Sequence, residues 1–228
     1  MMGYQGWFGY PGDGSELNSL FHWDKVDLYP DVSEIPAEQQ YVYEGKLVYS
    51  AYSLDTVMTH FKWMSENNLD GVFLQRFVSE LTIPSLLKFR NKVTSNVVKS
   101  SQQHGRVFSI MYDITGADTE TLFDVITKDW AYVTFPGGGL SSNYLRHSGK
   151  RVVGLWGFGF TSNKATPELA TQIIKYFKDS GCTVVGGVPA HWRTLTGDAQ
   201  ANPAWKEVYE LFDVISPWTV GRYYDDKT

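Results

Sequence analysis

Six short apolar runs in this chain each break off in a cluster of aromatic and polar residues, and that pattern limits the folds open to it. The runs are Gly-Tyr-Gln-Gly-Trp-Phe (3–8), Gly-Val-Phe-Leu-Gln-Arg-Phe (71–77), Val-Phe-Ser-Ile-Met-Tyr-Asp (107–113), Val-Val-Gly-Leu-Trp-Gly-Phe (152–158), Val-Val-Gly-Gly-Val-Pro-Ala-His-Trp (184–192) and Val-Ile-Ser-Pro-Trp (214–218). Strands buried on both faces read as continuous apolar stretches, as they do in parallel sheets. Amphipathic helical patterns lie between most of them. Strands alternating with helices predict an α/β fold of the (β/α)8 TIM-barrel type, in which all strand carboxyl ends share the face that carries the site.

Only about six β/α units are legible, whereas eight close such a barrel. The expectation is one partial TIM-barrel domain over 1–228. Three readings follow: a fragment, a barrel completed by a second chain or a C-terminal segment, or an open α/β sheet. Residues 9–50 form a long insertion after the first strand. Within it, Tyr41 to Tyr49 predicts a hairpin turning at Glu44-Gly45.

Helix signals mark the spaces between strands. Ser53 caps a helix whose Leu54, Val57, Met58, Phe61 and Met64 share one face. Pro84 opens a second, with Leu87, Val93, Val97 and Val98 mostly inward, and a poorer helix covers about 119–128. Thr166-Pro167-Glu168 is a cap, a proline at the first helical position and an acid in the first turn. That helix, with Leu169, Ile173, Ile174 and Phe177 inward, stops at Gly181. Asn202-Pro203 repeats the signal. Gly137-Gly138-Gly139 marks a loop.

Composition removes several classes of function. The formal net charge is −5 with no basic stripe, which argues against a nucleic-acid partner. No apolar run approaches the roughly 20 residues of a membrane span. A single cysteine, Cys182, excludes an intrachain disulfide and reads as a small core residue or a reactive thiol. His22 with Asp24, Asp27 and Asp31 fits neither an EF-hand nor a zincin, so no metal and no cofactor is expected. Phosphate-binding loops and nucleophile elbows are absent as well. Aromatic residues make up 15% of the chain, with 8 Trp and 14 Tyr. Flat rings with polar tips suit either a sugar cleft or the rim of a large core.

At the strand ends stand Trp7, Gln75, Arg76, Tyr112, Asp113, Trp156, His191, Trp192, Trp218 and Arg222, with His22 and Trp23 in the first long loop. Arg76 reads as an ion-pair partner or a ligand contact, Asp113 as a loop cap or a functional acid, and Trp156 as packing or a stacking surface. Hydrolysis of a glycoside needs two flanking carboxylic acids. Asp113 is the one clear carboxylate at these ends, the catalytic candidate, and the others are candidate substrate contacts.

Several motifs are similar to a known group. Tyr4-Gln5-Gly6-Trp7-Phe8, Pro11-Gly12-Asp13-Gly14, Phe21-His22-Trp23, Asp27-Leu28-Tyr29-Pro30-Asp31-Val32-Ser33-Glu34, His60-Phe61-Lys62-Trp63-Met64, Asp70 to Phe77, Met111-Tyr112-Asp113, Lys128-Asp129-Trp130 and Ser216 to Tyr223 resemble the glycoside hydrolase family 71/99-like proteins, often labelled xylosidase/arabinosidase. The resemblance implies a (β/α)8 barrel with a sugar cleft at its carboxyl face, an α-mannoside or α-glucan as partner, and a secreted or periplasmic location. Relatives include endo-α-1,2-mannosidases and α-1,3-glucanases. It also implies an acid pair in a late Glu-x-x-Glu-like stretch, to which no residue here corresponds. The two function readings are therefore a hydrolase whose late acids come from beyond Thr228, and a carbohydrate-binding protein without chemistry. A third, a structural domain with no glycan site, would bury its strand-end aromatics.

Overall fold

The computed structural model describes residues 1–134 and 142–221. Its sheet contains β1 (Met2–Tyr4), β4 (Gly71–Phe77), β5 (Val107–Asp113), β7 (Lys150–Trp156), β8 (Cys182–Val188) and β9 (Val214–Pro217) in that spatial order, while β2 (Gln40–Tyr43) and β3 (Lys46–Tyr49) form a separate hairpin. The registers β1–β4, β5–β7, β7–β8 and β8–β9 are all parallel. A short strand, β6 (Arg146–His147), pairs antiparallel with β7.

Spatial order thus follows chain order along the parallel strands. A doubly wound sheet reverses its order at a switch point. This one does not, so it winds in a single direction, as barrel-type α/β folds do. Six strands lie on this path among the described residues, and no seventh or eighth.

By its contacts the chain forms two compact units. The first comprises residues 1–76, 80–109 and 130–144. Here α1 (Leu54–Glu66) begins at Ser53, whose hydroxyl accepts the Thr56 amide at 3.4 Å. α2 (Pro84–His104) starts on its proline and ends at Gly105 in the left-handed conformation, φ 60. Val57, Phe61, Phe89, Val93 and Val97 are fully buried with Val72 and Leu74 of β4. Leu54, Met58 and Met64 are only half-buried, so the inward face of α1 is narrower than its apolar spacing implies. β4 opens on Gly71 because a Cβ there would lie 1.8 Å from the Val107 carbonyl oxygen.

β1 is shorter than the sequence pattern implies, and Trp7 lies beyond it. Gly6 turns to φ 56, and the guanidinium of Arg90 takes the carbonyls of Gln5 and Gly6, each at 2.9 Å. Those carbonyls bind a side chain instead of extending a ladder. The hairpin matches its sequence signal, with Tyr43 opposite Lys46. Glu44 and Gly45 have φ 48 and φ 74, as a type I′ turn requires.

The second unit comprises residues 77–79, 110–129 and 145–228. α3 (Leu122–Thr134), α4 (Pro167–Asp179) and α5 (Trp205–Glu210) complete the helices. α4 is capped by Thr166, which accepts the Leu169 amide at 3.3 Å, and Ile173, Ile174 and Phe177 are fully buried. α3 runs later than the 119–128 pattern, because Asp118 first closes a turn by accepting the Glu120 amide. α5 is shorter than Asn202-Pro203 implies, because Asn202 caps a turn through the Ala204 amide. Cys182 opens β8 as a buried free thiol, and burial pushes its pKa up. Gly137-Gly138-Gly139 and Arg222 lie outside the described residues.

Candidate functional site

The chain leaving β8 folds back on itself. Trp192 donates its amide to the Pro189 carbonyl at 3.2 Å, and Leu195 donates to that of His191 at 2.9 Å. Asp198 fixes the turn. Its carboxylate accepts the amides of Ala190 at 3.0 Å and His191 at 3.2 Å, and meets the His191 ring at Nδ1, 2.9 Å away. Gly197 stands before it because a Cβ there would come within 2.8 Å of that same Nδ1. The Asp198 side chain is 11% exposed and that of His191 50%. The imidazole is thus held at one nitrogen, with Nε2 as its remaining polar atom.

Beside this turn is a cleft of about 460 Å³. Ala190, His191, Trp192, Arg193 and Thr194 supply one wall; Ile215 and Pro217 of β9, then Thr219, supply the other. Trp192 packs edge-on against Tyr209, with ring centres 5.9 Å apart, and the Arg193 guanidinium lies over its indole at 4.9 Å. The walls therefore carry an indole, an imidazole, a guanidinium and two hydroxyls, and no carboxylate.

Trp218 lies between Pro217 and Thr219 and turns the other way, as alternation along an extended chain requires. It meets Trp156 edge-to-face at 5.5 Å and is 41% exposed. Trp156, at the end of β7, lies flat on β8 because Gly187 has no side chain. His191 and Trp192 thus share one cleft, while Trp156 and Trp218 form a separate pair.

Two other strand-end residues of this unit are buried. Tyr112 is fully enclosed, donates its hydroxyl to Asp129 of α3 at 2.8 Å and stacks on Phe177 of α4. Asp113 is 4% exposed, and one oxygen accepts the Thr115 amide at 2.8 Å, closing the turn after β5.

In the first unit, Arg76 is fully buried and reaches α2, donating to Thr94 at 2.8 Å and Asn91 at 2.9 Å. Its neighbour Gln75 is also buried. Trp7 and His22 form a half-buried stack, ring centres 4.2 Å apart and 16° from parallel. His22 holds φ 62, and Phe21 packs edge-on against its ring at 4.4 Å. Trp23 belongs to the core: it is 2% exposed, stacks on Phe8 and donates its indole N–H to the Tyr49 carbonyl at 2.8 Å.

Sequence reasoning does not single out Asp198, Arg193 or Tyr209, and His60 enters it only within a family-like motif, not as a site residue. His60 shares a hydrogen bond with the Tyr4 hydroxyl through Nδ1, 2.9 Å away, among the rings of Tyr49 and Trp63. Burial lowers its pKa to about 4. Gly197-Asp198 resembles an ordinary turn signal, and nothing local tells that its carboxylate reaches back seven residues to His191. Among the described residues no group of three or more His, Cys, Asp or Glu could hold a metal, and no helix is long and apolar enough to cross a membrane.

No family model and no curated protein matches the sequence. Solved structures are similar at low identity. The GH99 endo-α-mannosidase from Bacteroides thetaiotaomicron, in complex with bis-tris propane, shares 11% identity over 95% of this chain and 81% of its own, with a TM-score of 0.49. Another structure of a GH99 endo-α-mannosidase from the same organism gives 12% identity, the same share of this chain and 82% of its own, at 0.47. A glycoside hydrolase-like protein gives 13% identity over 71% of this chain and 50% of its own, at 0.44.

Proposed function

We propose that this chain is a glycoside hydrolase-like protein that binds an α-linked glycan, an α-mannoside or α-glucan, at the carboxyl ends of its parallel strands. The observation that carries the reading is the cleft after β8 and β9. A pyranose offers an apolar face and a rim of hydroxyls. The half-buried Trp192 indole matches the face, and Arg193, Thr194, Thr219 and Nε2 of His191 match the rim. The α linkage and the family 71/99-like assignment rest on the sequence motifs. Trp7 stacked with His22 offers a second ring surface.

Hydrolysis requires a carboxylic acid to protonate the leaving oxygen and a second carboxylate as base or nucleophile. The cleft walls carry neither, and Asp113 is committed to its own turn. That supports binding by these residues, with any hydrolysis depending on acids from outside the cleft. Titration calorimetry with α-mannan and α-glucan oligosaccharides, with product analysis of the same mixtures, tests it. Binding that is lost in Trp192→Ala is the expected result. Failure of every α-linked glycan to bind refutes the reading, and cleavage by residues 1–228 alone refutes the placement of the acids.

A further inference from the structure

The turn after β8 is built to present one cation. Arg193 is exposed, lines the cleft and, among the described residues, pairs with no carboxylate. Its guanidinium lies over the Trp192 ring, a geometry in which the aromatic face stabilises the cation and restricts its rotation. The loop beneath it is held firmly. Asp198 takes three of its N–H groups, and Leu195, 7% exposed, keeps a left-handed φ of 56. Strain of that kind persists only where surrounding contacts fix it.

The Asp198 carboxylate accepts the amides of Ala190 and His191 and meets Nδ1 of His191. A neutral sugar would leave the guanidinium with weak hydroxyl acceptors. A sugar carrying an oxyanion would give it a charge-assisted, forked pair of hydrogen bonds.

We infer that the cleft after β8 selects sugars that carry an oxyanion, a carboxylate or a phosphate, and that Arg193 is the residue that sets this preference. The inference rests on the glycan-binding reading above. Titration calorimetry of the 228-residue chain at low ionic strength tests it with three α-linked probes: a galacturonic acid trimer, a glucosyl phosphate and maltotriose. At least one anionic probe should bind about fivefold more tightly than maltotriose, and the two anionic arms show which oxyanion is preferred. The preference should fall away in Arg193→Gln, persist in Arg193→Lys and shrink at high salt. Equal or tighter binding of maltotriose, or a preference that survives Arg193→Gln, overturns this inference and leaves glycan binding standing. Failure of all three probes and of neutral α-mannan to bind overturns both.

Discussion

Gly187→Ala adds one methyl group where β8 carries the Trp156 indole. Gly187 is not in a left-handed conformation, so the change acts through space alone. The new Cβ would lie 1.9, 2.4 and 2.6 Å from three carbons of the Trp156 ring. Carbon atoms rest at about 3.5–4.0 Å, so the ring must withdraw by well over an ångström. Overpacking of this kind costs about 1–3 kcal/mol. The edge-to-face contact with Trp218, worth about 0.5–1.5 kcal/mol beyond burial, is lost as the ring moves. A midpoint loss of about 2 kcal/mol lowers the melting temperature by roughly 4–8 °C for a chain of this size. Thermal unfolding followed by circular dichroism measures the loss, and tryptophan fluorescence reports the displaced ring. A variant that melts within about 1 °C of the parent, with an unchanged emission spectrum, would show that Trp156 is not seated on β8 as described.

Other outcomes follow from charge and burial. His60 has a folded pKa near 4 against an ordinary value near 6.5. The unfolded chain therefore takes up the proton first as pH falls. Stability should drop by about 2–3 kcal/mol between pH 6.5 and pH 4 and level off below, and the drop should vanish in His60→Phe; denaturant titration at several pH values checks this. Glu80→Gln removes the carboxylate 2.5 Å from the buried Arg90 guanidinium and should cost about 2–3 kcal/mol in a urea titration, with an unchanged midpoint as the contrary result. Asp198→Asn weakens the hold on Ala190 and on His191 and should lower stability by about 1–2 kcal/mol, read by the same titration.

The parallel strands, the hairpin turn and the capped start of α4 are legible because their signals are local. Glu44-Gly45 and Thr166-Pro167 each declare a backbone geometry by residue type. β1 is harder to read, because its end is set by Arg90, far away in sequence, binding the Gln5 and Gly6 carbonyls. The site residues divide the same way. His191 and Trp192 follow a strand at a proline, and the structure brings both into one cleft. Tyr112, Arg76 and Trp23 share the same sequence signature, an aromatic or polar residue ending an apolar run or lying in a long loop. Each is buried, with partners on α3, on α2 and at Tyr49. Which side of a strand a residue faces depends on register, and a shift of one residue reverses it.

The singly wound order bears on how the chain assembles as it leaves the ribosome. Each parallel strand lies beside one already synthesised, so no strand has to wait for a partner still to be made. The first pairing is the exception in cost. Between β1 and β4 lie residues 5–70, against residues 157–181 between β7 and β8. Closing a loop more than twice as long costs roughly 0.6 kcal/mol per doubling. The hairpin of β2 and β3 lies inside that span, so part of its chain is ordered by local pairing and the loop left to close is shorter than its residue count implies.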